Sequence, residues 1–403
     1  MIRRNTSRAV FAAVLVAALV GLGTEVARAG SASAGVSPAA VSPAVATLTA
    51  ANFRLQASGY SPVVASLDAA LPVVTVPTVV GDGNRAATSC SPGAADRLAA
   101  FCWNGGDDDV SYWVPQGITT TADASPTGAY DGSTAILVSW YDNGTDGYDR
   151  GVRVSFVDYS NPSAPTYRHV LLVAPYVRSD GKPSFKPINI HAGGIFWYGD
   201  YLYVASTTSG FLVFDMHHLW ETASTVSTEI GVQSDGSYQA YGYKYVLPEV
   251  MSYGRSTLGG YSNLTFSFAS VDRTSTPNAI VVGEYASPGT GTRLVRFPID
   301  SGTGRLTASG DGYVHATAAY NVSVTSMQGA TSVNGKYYLS TSDGSGNAGD
   351  LATFTPGGSV VMHYDVLPIG PEDMSYWPGK DQLWSLSEYA SGRSVFAVRA
   401  SSY

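Results

Sequence analysis

Three stretches of this chain repeat one order of turns and apolar runs, and a repeated unit of this length constrains the fold more than any single motif. Residues 189–215 read NIHAGGIFWYGDYLYVASTTSGFLVFD, residues 327–354 read MQGATSVNGKYYLSTSDGSGNAGDLATF, and residues 371–398 read PEDMSYWPGKDQLWSLSEYASGRSVFAV. Each runs from a polar residue through an apolar strand, a tight turn, a Tyr- or Trp-bearing strand, a Ser/Gly turn and a third strand. That is the grammar of an antiparallel meander.

Extending the pattern gives strands near 117–124, 134–141, 152–159 and 167–175. A second unit follows with strands at 193–197, 201–205, 211–215 and 243–248, and a third at 264–271, 279–285, 293–299 and 317–322. Residues 329–367 form a fourth unit, and 373–398 a fifth with only three strands. The segment Val110–Pro115 is expected to supply the missing outer strand, because radially arranged sheets close best when both termini share the last one. The expected fold is therefore all-β, a β-propeller of about five four-stranded blades whose last blade is closed by an N-terminal strand. The abundance of Gly (44), Pro (21) and Tyr (26) suits so turn-rich an architecture. Helix signal is confined to 216–224, read as a surface insertion, and to one turn at 94–101. Residues 71–80 read as an edge strand or extended tail.

The first 29 residues combine arginines, an apolar run from Val10 to Leu22 and an Ala-Arg-Ala ending, the pattern of a secretory signal. Residues 30–108 are then a leader and N-terminal extension, and 109–403 the propeller domain. The leader's four arginines and one glutamate turn the formal charge of −8 into about −11 once it is removed. So acidic an exported chain disfavours nucleic acid and anionic membranes as partners, and no later run is long enough to span a bilayer. The expected protein is extracellular and monomeric, with a glycan or polysaccharide as ligand. Its two cysteines, Cys90 and Cys102, are expected to form a small-loop disulfide.

Repeat alignment nominates a site. Residues preceding each first strand, and those ending each second strand, share one rim of such a fold. The first set holds Gln116, His191, the 249–263 loop with Arg255, Gln328 and Glu372. The second holds Tyr141, Ser206, Glu284 with Tyr285, Ser342 with Asp343, and Glu388 with Tyr389. GEYAS (283–287) echoes SEYAS (387–391), and PEVMSY (248–253) echoes PEDMSY (371–376). Recurrence of this kind points to scaffold roles for Glu284, Tyr285, Glu388 and Tyr389. His191 has no copy among its siblings, so it is a candidate general acid or base, with a cap onto the next sheet as the other reading. No zinc-ligand spacing, phosphate loop, nucleophile elbow or dinucleotide fingerprint is present. The Asp-rich stretches 107–109 and 142–149 offer oxygens to calcium but lack the full twelve-residue ligand pattern. No metal or other cofactor is expected.

The segments HAGGIFWYGDYLYVAST, SMQGATSVNGKYYLSTS and GPEDMSYWPGKDQLWSLSEYA resemble those of secreted actinobacterial propeller-like proteins, over roughly 109–403. More distantly, an exported propeller with a His, Arg, Gln and Tyr mouth resembles propeller-fold carbohydrate-active enzymes, lyases and hydrolases that act on rhamnose-glucuronate chain ends. That resemblance implies β-elimination on a uronate. Arg255 and Gln328 would neutralise the carboxylate, His191 would act as base and Tyr253 as acid. A glycoside hydrolase would use paired carboxyls instead, Glu372 with Glu284 or Glu249. A non-catalytic glycan- or protein-binding propeller needs only the tyrosine-rich rim.

Overall fold

The computed structural model describes residues 45–286 and 292–403, so the expected signal at 1–29 lies outside the described residues. Nearly all regular structure is β, organised in four-stranded sheets of antiparallel meanders, the first and second of which are joined by a parallel pairing of Val170–Val173 with Tyr245–Pro248 into one 14-stranded sheet. The first sheet holds Trp113–Thr120, Ala135–Asp142, Val152–Asp158 and Thr166–Val177. The second holds Ile195–Tyr198, Tyr201–Ser206, Gly210–Asp215 and Tyr245–Thr257. Phe268–Asp272, Ala279–Gly283, Arg293–Pro298 and Ala318–Asn321 form the third. The fourth contains Met327–Val333, Lys336–Thr341, Ala348–Phe354 and Val361–Ile369. Ser375–Trp377, Gln382–Leu386 and Ser394–Arg399 make three strands of the fifth.

Local chemistry explains the turns. Asn334 and Gly335 both take positive φ, 51° and 83°, which is the two-residue hairpin geometry matched to strand twist. Strands such as Tyr201–Ser206 and Leu383–Leu386 are buried on both faces, because each sheet is covered by the sheets beside it. The buried apolar side chains accordingly fall into five clusters, each drawing mainly on two neighbouring sheets. The cluster between the fifth and first sheets is aromatic: Trp103 meets Trp140 edge-on at 4.8 Å and Tyr167 at 4.9 Å.

The expected strand positions in the five units hold to within a few residues, but the N-terminal assignments change. The fourth strand of the fifth sheet is Arg97–Cys102, antiparallel to Ser394–Arg399, rather than Val110–Pro115. Trp113–Pro115 instead begin the first strand of the first sheet, where a bulge between Pro115 and Ile118 preserves the pairing. Where the sequence suggests an extension separate from the β body, Phe53–Ala57 pairs with Tyr253–Thr257, and Ala46–Thr47 pairs with Tyr320 and Asn321. The expected helical turn at 94–101 is mostly strand, since the ladder with Ser394–Arg399 outweighs a weak local preference. Val76–Gly81 is a short helix capped by Thr75, with Pro77 in its first turn where no N–H is needed. The expected insertion at 216–224 is a single 3₁₀ turn followed by a strand, Leu219–Glu221.

One difference bears on the site. The chain does not return to the centre after Pro248; the strand runs on to Thr257, pairing first in parallel with Val170–Val173 and then with Gly210–Phe214. PEVMSY is thus outer strand, whereas PEDMSY enters a first strand.

Candidate active site

A carboxylate pair lies where the fifth sheet meets the first. Glu372 is held by its backbone: its N–H donates to the Leu386 carbonyl at 2.9 Å, and its own carbonyl accepts the hydroxyls of Ser340 (2.7 Å) and Ser385 (3.1 Å). Its side chain is 2% exposed, and burial, then the neighbouring Glu388 and then Asp373, raise its pKa well above the carboxylate range. Glu388 is half-buried and accepts a hydrogen bond from Gln116 Nε2 at 3.3 Å. Burial raises its pKa too, while Tyr389, Gln116 and Arg393 oppose the rise.

Aromatics and His191 complete the cluster. Burial and the charges of Glu388 and Glu372 push the Tyr141 hydroxyl up to about 12, and its ring lies 4.5 Å from that of His191. Tyr389, also pushed to about 12 by burial and Glu388, sits beside Ser342. His191 is solvent-exposed, yet surrounding protein desolvates it enough to lower its pKa. Its position is set by Ala192 in the left-handed region (φ 53°) and by Gly193, where a Cβ would stand 2.2 Å from the Ser267 carbonyl oxygen.

Beneath this cluster are two further buried acids that the repeat comparison passes over. Asp373 Oδ2 accepts the backbone N–H groups of Ile118 (3.2 Å) and Ile195 (3.1 Å), tying the first strands of the first and second sheets together. Its Oδ1 is buried with no partner among the described residues, and burial holds its pKa well above the usual range. Asp123 accepts from Thr119 (2.7 Å), Ser375 (2.6 Å) and the Thr120 N–H (3.2 Å), and burial raises it to about 6. Asp373 directly follows Glu372, yet a strand-start acid with no repeat partner looks like ordinary turn chemistry in sequence. Arg393 likewise carries no distinguishing signal in the sequence. It is buried, donates to the carbonyls of Glu388, Asp107 and Val110, and has its pKa lowered to about 10 by desolvation.

Arg255, Glu284, Tyr253 and Glu249 make their contacts with other groups, and Gln328 adjoins Gly329, where a Cβ would stand 2.7 Å from the Glu372 carbonyl oxygen. Arg255, on the outer strand, donates to the carbonyls of Thr208 and Leu264, and its charged neighbours are Glu284 and Arg293. Glu284 is neutralised by two 2.6 Å contacts from Arg293 and also accepts the Thr265 N–H. Tyr253 is 2% exposed and packs against Tyr203, which places it in the core. Glu249 is half-buried on the same outer strand, its pKa raised by burial. Tyr285 is exposed, and Gln328 is half-buried on the first strand of the fourth sheet.

The Asp-rich stretches are engaged by protein groups. Asp107 meets Arg85, Arg153, Tyr167 and His169, and Asp108 accepts the N–H groups of Gly392 and Arg393. Asp142 and Asp146 each contact Arg150 at 2.8 Å. Among the described residues no group of three or more His, Cys, Asp or Glu side chains has metal-binding geometry. Cys90 and Cys102 are bridged, with Cα atoms 5.8 Å apart.

No protein-family model matches the chain. A search of curated proteins also finds no match. Among solved structures, a GH43_1 enzyme from Xanthomonas citri complexed with xylose is 10% identical, covering 84% of this chain and 92% of that one at a TM-score of 0.36. The Cps50 (Swd1) β-propeller domain of Myceliophteria thermophila is 12% identical, covering 70% and 83% at 0.33. Kuenenia stuttgartiensis hydrazine synthase is 14% identical, covering 69% and 74% at 0.32. Likeness this distant carries no argument about function.

Proposed function

We propose that this chain is an extracellular glycoside hydrolase acting on a glycan through Glu372 and Glu388, on a closed five-bladed propeller. Five sheets with five shared apolar clusters, and a last sheet completed by an N-terminal strand, support the ring. The signal-like leader and the Cys90–Cys102 bridge support export.

The observation that carries the catalytic reading is the coupled pair of glutamates set in unequal surroundings. Glycoside hydrolysis needs one protonated and one ionised carboxyl, and a site obtains them by separating their pKa values. Glu372, more deeply buried and with no hydrogen bond lowering its pKa, is the member of the pair whose protonated form burial favours, and it serves as general acid. Glu388, favoured in its charged form by Gln116, Tyr389 and Arg393, serves as base or nucleophile. Tyr141, Tyr389 and His191 give the sugar aromatic and polar surfaces. The uronate lyase reading loses its cation and its acid, since Arg255 is occupied by backbone carbonyls and Tyr253 is in the core.

The test is incubation of the mature protein with a panel of aryl glycosides and with plant and bacterial polysaccharides. Reducing ends and the absorbance of unsaturated uronates are followed in parallel. New reducing ends without unsaturated product, lost in both Glu372→Gln and Glu388→Gln, are expected. Unsaturated product would move the chain to the lyases. Saturable glycan binding with no turnover would leave a binding protein.

A further inference from the structure

On the flank of the first sheet a recess of about 300 Å³ is lined by Arg85, Arg150, Arg153, Arg168 and Lys244, with Asp107 and His169 among the other lining residues. These are five of the 23 lysines and arginines in a chain whose net charge is −8, so cations are concentrated here against the overall balance. Arg150 apart, four cations share three acids. Asp107 serves both Arg85 (3.1 Å) and Arg153 (2.9 Å), and Asp82 serves both Arg168 (3.4 Å) and Lys244 (3.0 Å). Glu221 approaches Lys244 only to 3.9 Å. Arg150 alone is fully matched, by Asp142 and Asp146. His169 adds no positive charge, because burial and then the adjacent Arg153 lower its pKa to about 3.

Arg153 marks where a ligand would engage. It is 4% exposed, its guanidinium stacks 4.4 Å from the ring of Trp113 and 4.8 Å from that of Trp140, and its Nε is buried with no partner among the described residues. A guanidinium fixed between two rings, with one N–H unspent, is preorganised for a forked contact with an oxyanion.

We infer that this recess binds a tetrahedral oxyanion, phosphate or sulfate, either free or as a monoester on a sugar. Arg153 and Arg85 grip it from the buried end, and Arg168 with Lys244 close over it from the outer strands. The site is independent of hydrolysis at the glutamate pair.

Isothermal titration of the full mature chain with inorganic phosphate, inorganic sulfate and a monosaccharide sulfate, at ionic strength matched with sodium chloride, tests this. Saturable 1:1 binding is expected, weakened at least tenfold in Arg168→Gln/Lys244→Gln. Both of those side chains are partly exposed, and an unchanged unfolding midpoint checks the fold. Binding unaltered by Glu388→Gln separates this site from the proposed catalytic one. A sugar ester bound more tightly than the free ion makes the natural ligand glycan-borne, and the reverse makes it the free ion; both uphold the site. Absence of heat beyond the chloride control, or undiminished affinity in the double variant, overturns it.

Discussion

Glu284 and Glu388 stand in nearly identical pentapeptides, and an arginine near the start of the next strand follows each. Arg293 gives its guanidinium to the Glu284 carboxylate, so that residue is scaffold. Arg393 is drawn away by the Asp107 and Val110 carbonyls and bonds only the Glu388 backbone oxygen, which leaves the Glu388 carboxylate to Tyr389, Gln116 and the neighbouring Glu372. The two copies thus differ in surroundings: Glu284 is ion-paired, while the proposed catalytic role falls to Glu388. Replacing either Glu372 or Glu388 by Gln is expected to lower kcat/KM by about 10²–10⁴, with the unfolding midpoint maintained or raised. His191→Ala should lower turnover while changing stability by less than about 1 kcal/mol, because the side chain is exposed and its main contact is one ring face. Asp123 provides a pH signature. Its folded pKa of about 6 lies above the unbound value of 3.8, so the folded state holds the proton longer. Its contribution to stability is full below about pH 4 and is lost as the pH rises through 6, a change of about 3 kcal/mol. Urea unfolding of Asp123→Asn across that window should show a flatter dependence than the parent chain.

At the level of the element, the PEVMSY and PEDMSY segments show how local sequence and position part company. Both would pass for the entry to a first strand. Only the second is one, because Tyr245–Thr257 finds partners along its whole length in Thr166–Val177, Gly210–Asp215 and Phe53–Ala57 and has no reason to turn. This is why Glu249, Tyr253 and Arg255 are not at the glutamate pair. The first strands themselves are held together by glycine. A Cβ at Gly329 would stand 2.7 Å from both the Asp373 Cα and the Glu372 carbonyl oxygen, and one at Gly194 would stand 2.2 Å from the Ala269 nitrogen. Both obstacles are backbone, which cannot rotate aside. Gly329→Ala is expected to cost about 1–3 kcal/mol in denaturant unfolding and to lower activity as well, since it displaces the segment carrying Glu372. A surface turn glycine with open space around it, such as Gly346, should accept alanine with little effect on either measurement.

Across the whole molecule, the last strand, Ser394–Arg399, pairs in the fifth sheet with Arg97–Cys102 from the N-terminal part of the chain, and the disulfide fastens that strand's last residue. The bridge closes a loop with a sequence separation of 12, and the loop-entropy relation gives it about 3 kcal/mol. Reduction by dithiothreitol should lower the thermal midpoint by a corresponding amount, and a chain starting at Trp103 should lose its cooperative transition in calorimetry, since the fifth sheet would lack its outer strand. The sequence by itself determined the all-β class, the unit length and the approximate positions of the strands in the five meanders, though not Pro183–Pro187, Leu219–Glu221, Ile230–Val232, Tyr238–Ala240 or Tyr313–His315, because alternating apolar runs and Gly/Asn turns are local signals that burial and backbone geometry enforce residue by residue. It also placed Gln116, His191, Glu372 and Glu388 among the candidates, since their register within the repeat is itself local. Only the tertiary structure decided which of them share surroundings, that Arg97–Cys102 rather than Val110–Pro115 completes the fifth sheet, and that Asp373, Asp123 and Arg393 are buried beside them. Those outcomes depend on desolvation and on partners more than a hundred residues away in the chain, and no local pattern encodes either.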